Sequence, residues 1–352
     1  MAFTYQVSQP YLTGREQEYL TEAVSSGWIS SQGPFVGRFE EQFAEYNEYA
    51  HGVACSSGTT ALTLALRALG IGPGDEVIVP EFTMIASAWA VTYTGATPVF
   101  IDCADDLNMD VELLESKITA RTKAIMPVHI YGRRCEMDAI MKIAYEYNLR
   151  VIEDSAEAHG VRPVADIACF SLFANKIISA GEGGVCVTND RHLAEQMAHL
   201  RGMAFSREHD FIHKKLAYNF RMTNLQAAVA LAQLEKLDEI LEIRKRIEAH
   251  YDAGLEGIEG LTKLPPRDVL WMYDIRAERR DDLRESLAVD GIETRLFFQP
   301  MSRQPMYLDP VWPSLNATRF ASDGLYLPTY TGLTEGDQDR IIAKIRQFYK
   351  AD

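Results

Sequence analysis

The stretch Cys169-Phe-Ser-Leu-Phe-Ala-Asn-Lys176-Ile-Ile-Ser-Ala-Gly181-Glu-Gly-Gly184 sets a lysine between an apolar run and a glycine-rich turn. Residues 168–173 read as a buried strand and 184–188 as the next. Lys176 therefore falls just past a strand end, where open α/β sheets place their ligands. An ammonium is disfavoured in such a low-dielectric position. A lysine held there becomes a nucleophile towards carbonyls, and its commonest employment is a Schiff base with pyridoxal phosphate. The competing reading is a surface lysine whose stem lies along apolar neighbours.

Two further stretches bear on that choice. Val151-Ile-Glu-Asp154-Ser-Ala-Glu157 is a short apolar run ending in carboxylates upstream of Lys176. Pyridoxal phosphate needs a carboxylate at its pyridine nitrogen, and an Asp at a strand end can be held rigidly enough to serve. The same residues also score as a helix capping box. Cys55-Ser56-Ser57-Gly58-Thr59-Thr60 opens a strongly apolar helical run. Free amides and hydroxyls at a helix start form a phosphate cup, and an ordinary N-cap would use the same residue types. Phosphate cup, ring-nitrogen acid and lysine follow one another in chain order.

Between residues 53 and 188 the pattern alternates. Strands expected at 76–79, 97–101, 124–129, 150–154, 167–170 and 184–188 are separated mostly by helical segments, the signature of a mainly parallel sheet covered on both faces. Gly70-Ile-Gly-Pro-Gly74 follows a helix and contains proline, so it reads as a turn and not as a dinucleotide loop. Residues 13–25 read as an amphipathic helix, followed by a loop carrying Trp28. Residues 224–251 form one long or broken helical stretch. Pro265-Pro266 then introduces a smaller unit, with strands at 271–276 and 292–295 and helices at 279–289 and 335–349.

With 352 residues the chain can bury a large core and is expected to make one big domain and a smaller one. Its net charge of −15 argues against a nucleic-acid or anionic-membrane partner. An anionic substrate would have to be gripped by local arginines. The five cysteines are scattered, with no C-x-x-C and no His/Cys metal spacing, which fits a reduced cytoplasmic protein. The first six residues lack a basic start and an apolar run, so no signal peptide is expected. Residues 82–101 carry no charge but contain Gly95 and Pro98, and so read as buried helix, turn and strand, not as a membrane span. His209, His213, Lys214 and Lys215 lie close together in a polar stretch that reads as a solvated loop, because no acidic ligand recurs at fixed spacing.

Six motifs in this order, Ser57-Gly-Thr-Thr-Ala-Leu62, Gly74-Asp-Glu-Val-Ile-Val-Pro80, His129-Ile-Tyr-Gly132, Glu153-Asp-Ser-Ala-Glu-Ala158, Asn175-Lys176 with Gly181-Glu-Gly-Gly184, and Tyr218-Asn-Phe-Arg-Met-Thr-Asn224, resemble those of the DegT/DnrJ/EryC1/StrS sugar aminotransferases. The likeness runs over nearly the whole chain. It implies a fold-type-I, aspartate-aminotransferase-like α/β enzyme: a large cofactor domain with an N-terminal arm over 1–235, and a small C-terminal α/β domain over 236–352. It further implies a ping-pong transfer of the amine of glutamate, through pyridoxamine phosphate, to a nucleotide-linked 4-keto-6-deoxy sugar. By resemblance Lys176 forms the Schiff base and shuttles the proton, Asp154 pairs with the pyridine nitrogen, and Glu157 lies against the ring hydroxyl. Ser57, Gly58, Thr59 and Ser171 hold the phosphate, joined by Asn219 of a second copy in a homodimer with shared active sites.

Three departures from the family pattern are visible. The residue after Thr83, usually aromatic there, is Met84, whose thioether can cover a ring less rigidly. Only residues 161–165 separate Gly160 from Asp166, where relatives carry a longer excursion. Ser302 stands where relatives commonly have histidine. Trp28, His129, Arg295, Ser302 and Arg303 are candidate substrate residues, the two arginines for the diphosphate. Three other readings stay open: an aminotransferase for a 3-keto sugar or keto-cyclitol, a sugar dehydratase using the same cofactor, and a regulatory protein that kept the fold. The dehydratases typically replace the lysine by histidine.

Overall fold

The structure is a computed structural model and describes residues 3–205, 211–213, 215–308 and 315–350. Seven strands, β1 (His51–Cys55), β2 (Glu76–Pro80), β3 (Thr97–Ile101), β4 (Thr122–Ile125), β5 (Arg150–Asp154), β6 (Ile167–Ser171) and β7 (Gly184–Thr188), form one sheet in the order β1-β7-β6-β5-β4-β2-β3. Every residue of β2, β6 and β7 is buried, as expected of strands covered on both faces. Alternate residues serve opposite faces. Ala168, Phe170, Val185 and Val187 face one core, with the helices Pro34–Tyr46 and Asn224–Leu234. Cys169 and Cys186 face the other, with Gly58–Ala68 and Arg191–Arg201. All five cysteines are free, buried thiols.

The connections decide where a site can form. Strands β3, β2, β4, β5 and β6 run parallel, whereas β7 runs antiparallel to both β6 and β1. Pairing sets Asp154 opposite Cys169, Ser171 opposite Gly184, and Cys55 opposite Gly184. The ends of β1, β5 and β6 therefore meet at one edge of the sheet. Gly184 permits this, because a Cβ there would lie 2.2 Å from the Ser57 carbonyl oxygen.

A second, antiparallel sheet contains β8 (Leu261–Lys263), β9 (Tyr273–Ala277), β10 (Arg295–Leu296) and β11 (Gly324–Leu327) in the order β10-β11-β9-β8. Its apolar core is shared with the helices Leu237–Gly254, Arg280–Val289 and Glu335–Lys350. Among the described residues no helix is long and apolar enough to cross a membrane.

The 224–251 stretch is the broken form of the expected helix, one helix ending at Leu234 and the next starting at Leu237, while other local expectations shift. The strand expected at 271–276 begins only at Tyr273, which leaves Trp271 outside the ladder. The strand expected at 292–295 shrinks to Arg295–Leu296. The helix Pro34–Tyr46, with proline in its first turn, follows the loop that carries Trp28. The short 161–165 connection is fastened inward: the amides of Val164 and Ala165 each donate a 2.6 Å bond to the buried Glu153 carboxylate. His209 and Lys214 lie outside the described residues, while His213 bonds the Met203 carbonyl at 2.7 Å.

Candidate active site

A cavity of about 490 Å³ opens where the ends of β5 and β6 face the second sheet. Ser57, Gly58 and Thr59, Met84, Asp154, Glu157, Ser171 and Lys176 line it from the large sheet's side. Trp271, Arg295, Leu296, Phe298 and Tyr326 line it from the other. Lys176 follows a turn just beyond β6, its amide bonded to the Phe173 carbonyl at 2.9 Å.

The carboxylates are aimed by short-range bonds. Asp154 ends β5 and is followed by turns, so the helix that a capping box would start does not form. Its Oδ1 accepts from the Ala156 amide at 3.1 Å and its Oδ2 from the Ser87 hydroxyl at 2.7 Å. Glu157 Oε2 accepts from the Tyr131 amide at 2.9 Å, which fastens Tyr131 in a left-handed conformation with φ of 53°. Glu157 Oε1 stands 3.8 Å from Lys176 Nζ.

Burial governs the charges. It pushes the Lys176 amine below its ordinary pKa, against the pull of Glu157 and Asp154. It drives Glu157 up to about 7, against Lys176 and the Tyr131 amide. It also raises Asp154, opposed first by the Ser87 hydrogen bond. A buried amine poised towards its neutral form is what attack on a carbonyl requires.

Next to these groups the helix Gly58–Ala68 begins. Ser57 is its N-cap: its hydroxyl accepts from the Thr60 amide at 3.2 Å, and the Thr60 hydroxyl accepts from the Ser57 amide at 3.0 Å. The amides of Gly58 and Thr59 are left for an outside acceptor, as at any helix start. A Cβ on Gly58 would lie 2.8 Å from Ser171 Cβ, so glycine lets the helix start approach β6. Ser57 thus serves as cap and cup wall together. Amides and hydroxyls for a phosphate, a rigid carboxylate for a ring nitrogen and a buried amine for an aldehyde fit pyridoxal phosphate.

The remaining candidates divide between the cavity and its surroundings. Met84 lines the cavity while 47% exposed, and Arg295 sits at its rim, 3.4 Å from Glu293. Trp28, His129, Ser302, Arg303 and Asn219 do not line it. His129 is fully buried, with Nε2 2.7 Å from Glu153 and Nδ1 accepting from the Cys135 amide; its own amide bonds the Asp154 carbonyl, so it supports that strand end from behind. Ser302 is buried, its amide and hydroxyl both bonded to Glu81. Trp28, Arg303 and Asn219 are exposed. Sequence reading missed Ser87, Trp271 and Tyr326, each far along the chain from the groups it meets.

Comparison with known proteins bears on the family and the fold. The family model of the DegT/DnrJ/EryC1/StrS aminotransferases matches residues 10–346. The GDP-perosamine synthase of Caulobacter vibrioides is 47% identical, over 97% of each chain. The structure of S. venezuelae DesV in complex with a ketimine intermediate superposes with a TM-score of 0.90 at 37% identity, covering 96% of this chain and 94% of that one. The PLP form of a putative sugar aminotransferase from Streptococcus pneumoniae gives a TM-score of 0.90 at 28% identity, covering 100% and 99%.

Proposed function

The chain belongs to the DegT/DnrJ/EryC1/StrS aminotransferase family, and from that premise we propose that it moves the amino group of glutamate to the keto carbon of a nucleotide-linked 4-keto-6-deoxy sugar, as a GDP-perosamine synthase does. It is an aminotransferase that uses pyridoxal phosphate. The observation that carries the reading is Lys176, a buried amine 3.8 Å from Glu157, in a cavity that also presents Asp154 and an open helix start.

When bound, pyridoxal phosphate supplies the electron sink through which an amino group is taken up and passed on. Lys176 would hold the cofactor and, once released from it, would move the proton between the substrate carbon and the cofactor's reactive carbon in each half-reaction. Asp154, oriented by Ser87, would keep the pyridine nitrogen protonated. Glu157 would lie against the ring hydroxyl, and Met84 would cover the ring. The amides of Gly58 and Thr59, with Ser57 and Ser171, would hold the phosphate. Arg295 at the rim receives the sugar nucleotide's diphosphate, with Arg303 and Trp28 further out. Asn219 is exposed and does not line its own chain's cavity, which suits a residue that completes the site of a second copy in a homodimer. The enzyme then works in the cytoplasm, making a deoxyamino sugar for a polysaccharide or glycoside.

The test is a substrate panel. Protein converted to its amine-carrying form by glutamate is offered GDP-, UDP- and dTDP-linked 4-keto-6-deoxy sugars, 3-keto sugars and a keto-cyclitol. Return of the original visible absorbance with the GDP-linked 4-keto sugar is expected; return only with a 3-keto sugar or keto-cyclitol contradicts the substrate assignment. Asn219→Ala is expected to weaken cofactor retention about tenfold, or about 1.4 kcal/mol. Unchanged affinity removes the shared-site claim.

A further inference from the structure

Trp271 belongs to no motif of the sequence, yet it meets the lysine from the segment just before β9. Its ring lies over Lys176, with Nζ 4.2 Å from the ring centroid. Its Nε1–H donates a 2.9 Å bond to the carbonyl of Asn175, the residue before the lysine. The side chain is 3% exposed, and its ring packs on Tyr131 at 5.9 Å and Tyr326 at 6.2 Å.

What holds the indole there is itself unusual. Arg244, buried on the helix Leu237–Gly254, donates to the carbonyls of Leu270 at 3.2 Å and Trp271 at 2.9 Å. Among the described residues it has no carboxylate within ion-pair distance, and burial pulls its pKa down to about 10. A buried guanidinium spent on two backbone carbonyls fixes the segment just before β9, where a ladder bond would otherwise do so. The indole is thus located from three sides: its backbone by Arg244, its edge by Asn175 and its flank by two tyrosines.

We propose that Trp271 is a positioning residue whose indole face is the seat on which the Lys176 amine rests whenever it is not bonded to the cofactor. The proposal rests on the reading above, in which Lys176 alternates between holding the cofactor and carrying a proton. In the second state the amine has the Glu157 carboxylate at 3.8 Å and the Trp271 ring centroid at 4.2 Å, so the ring face is an uncharged electron-rich surface within reach of the ammonium. A seated amine stays beside the reacting carbon and returns to the same point in each half-cycle. The other ionisable groups lining the cavity are Asp154 at the end of β5 and Glu157 just beyond it, both raised by burial, together with Glu182 and Arg295. His159 beyond them is held neutral by burial, and Tyr131 and Tyr326, hydroxyl to hydroxyl at 2.9 Å, stay protonated for the same reason. None of these three can replace the indole face as a partner for the ammonium.

The experiment uses cofactor-free protein, in which the amine is unattached. Reductive methylation is followed against pH, and the peptide containing Lys176 is quantified by mass spectrometry to give the pH of half-reactivity. An attractive ring face holds the ammonium, so weakening it lowers that pH. Trp271→Leu should lower it by about 0.5–1.5 units, and Trp271→Phe by less. Because removing the ring also alters packing, the decisive series replaces Trp271 alone by increasingly fluorinated tryptophan, which keeps shape while draining the ring face. A stepwise fall supports the seat; a midpoint that stays or rises along the series overturns it. The glutamate reaction of the loaded protein is read separately. Moving midpoints with no glutamate reaction support the seat while contradicting the function, and fixed midpoints with a normal reaction do the reverse.

Discussion

Two clusters of buried charge lie on either side of Tyr131, and they have opposite characters. In one, Asp274 sits between Arg133, 2.9 Å away, and Arg267, 2.5 Å away, and Arg267 also pairs with Glu248 at 2.8 Å. Burial alone would raise Asp274, but the two guanidiniums outweigh it and hold the carboxylate below its ordinary range. In the other, two carboxylates share one lysine, and the nearer approach is 3.8 Å. There burial prevails: both acids rise and the amine falls. Both places are largely buried, but their geometry differs. Forked guanidiniums at hydrogen-bond distance repay desolvation, whereas a single ammonium beyond that distance does not. The first cluster fastens the 130–134 loop to β9. The second keeps its groups poised for a ligand, and unpartnered buried chemistry of this kind marks a functional site.

The contrast breaks most visibly at the lysine. Lys176→Ala is expected to lower transamination by at least about 10²–10⁴-fold, while cofactor-free protein melts no lower than the parent, since the change removes a poorly compensated buried cation. Retained turnover in steady-state assays, or a large fall in melting temperature, would count against the division drawn between the clusters. Asp274→Asn should do the opposite, destabilising by roughly 3–5 kcal/mol in denaturant titrations because the buried Arg133 loses its anion and Arg267 keeps only Glu248. A loss within experimental error would reduce that network to an ornament. In the parent the Asp274 contribution is complete above the unfolded carboxyl pKa of about 4 and is lost as pH falls through the lower folded value.

Glu157 sharpens the comparison by its sign. Its folded pKa is raised from 4.5 to about 7, so in cofactor-free protein its contribution is complete below the unfolded pKa and is lost as pH rises through the folded one. Glu157→Gln does not titrate. Its stability relative to the parent should therefore grow between pH 4.5 and about 7, by up to roughly 3 kcal/mol. Equilibrium unfolding across that range checks it, and a difference that is flat with pH contradicts the assignment.

What was legible in the sequence lay close together along the chain. Asp154, Ser57 to Thr59, Ser171 and Lys176 each sit at the end of a short apolar run, and the rule that ligands gather at strand ends puts them on one edge. The order of strands was not readable in that way, because β7 reverses direction between β6 and β1 through pairings that no local pattern encodes. Nor were the aiming residues. Ser87 reaches Asp154 from 67 residues upstream, and Trp271 meets the Asn175 carbonyl across a separation of 96. A serine within an uncharged helix and a tryptophan ahead of a strand look like packing until the sheets are brought together. His129, in a family-like motif, does not line the cavity: it is a buried core residue paired with Glu153 behind the strand end.

The most direct test is the absorbance spectrum of the protein loaded with pyridoxal phosphate, recorded before and after glutamate, beside the same pair for Lys176→Ala. The account predicts a visible Schiff-base band in the parent that gives way to the pyridoxamine phosphate band on adding glutamate, and no such band in Lys176→Ala without an added amine. A parent without the band, or a variant that shows it unaided, would contradict the claim that Lys176 carries the cofactor.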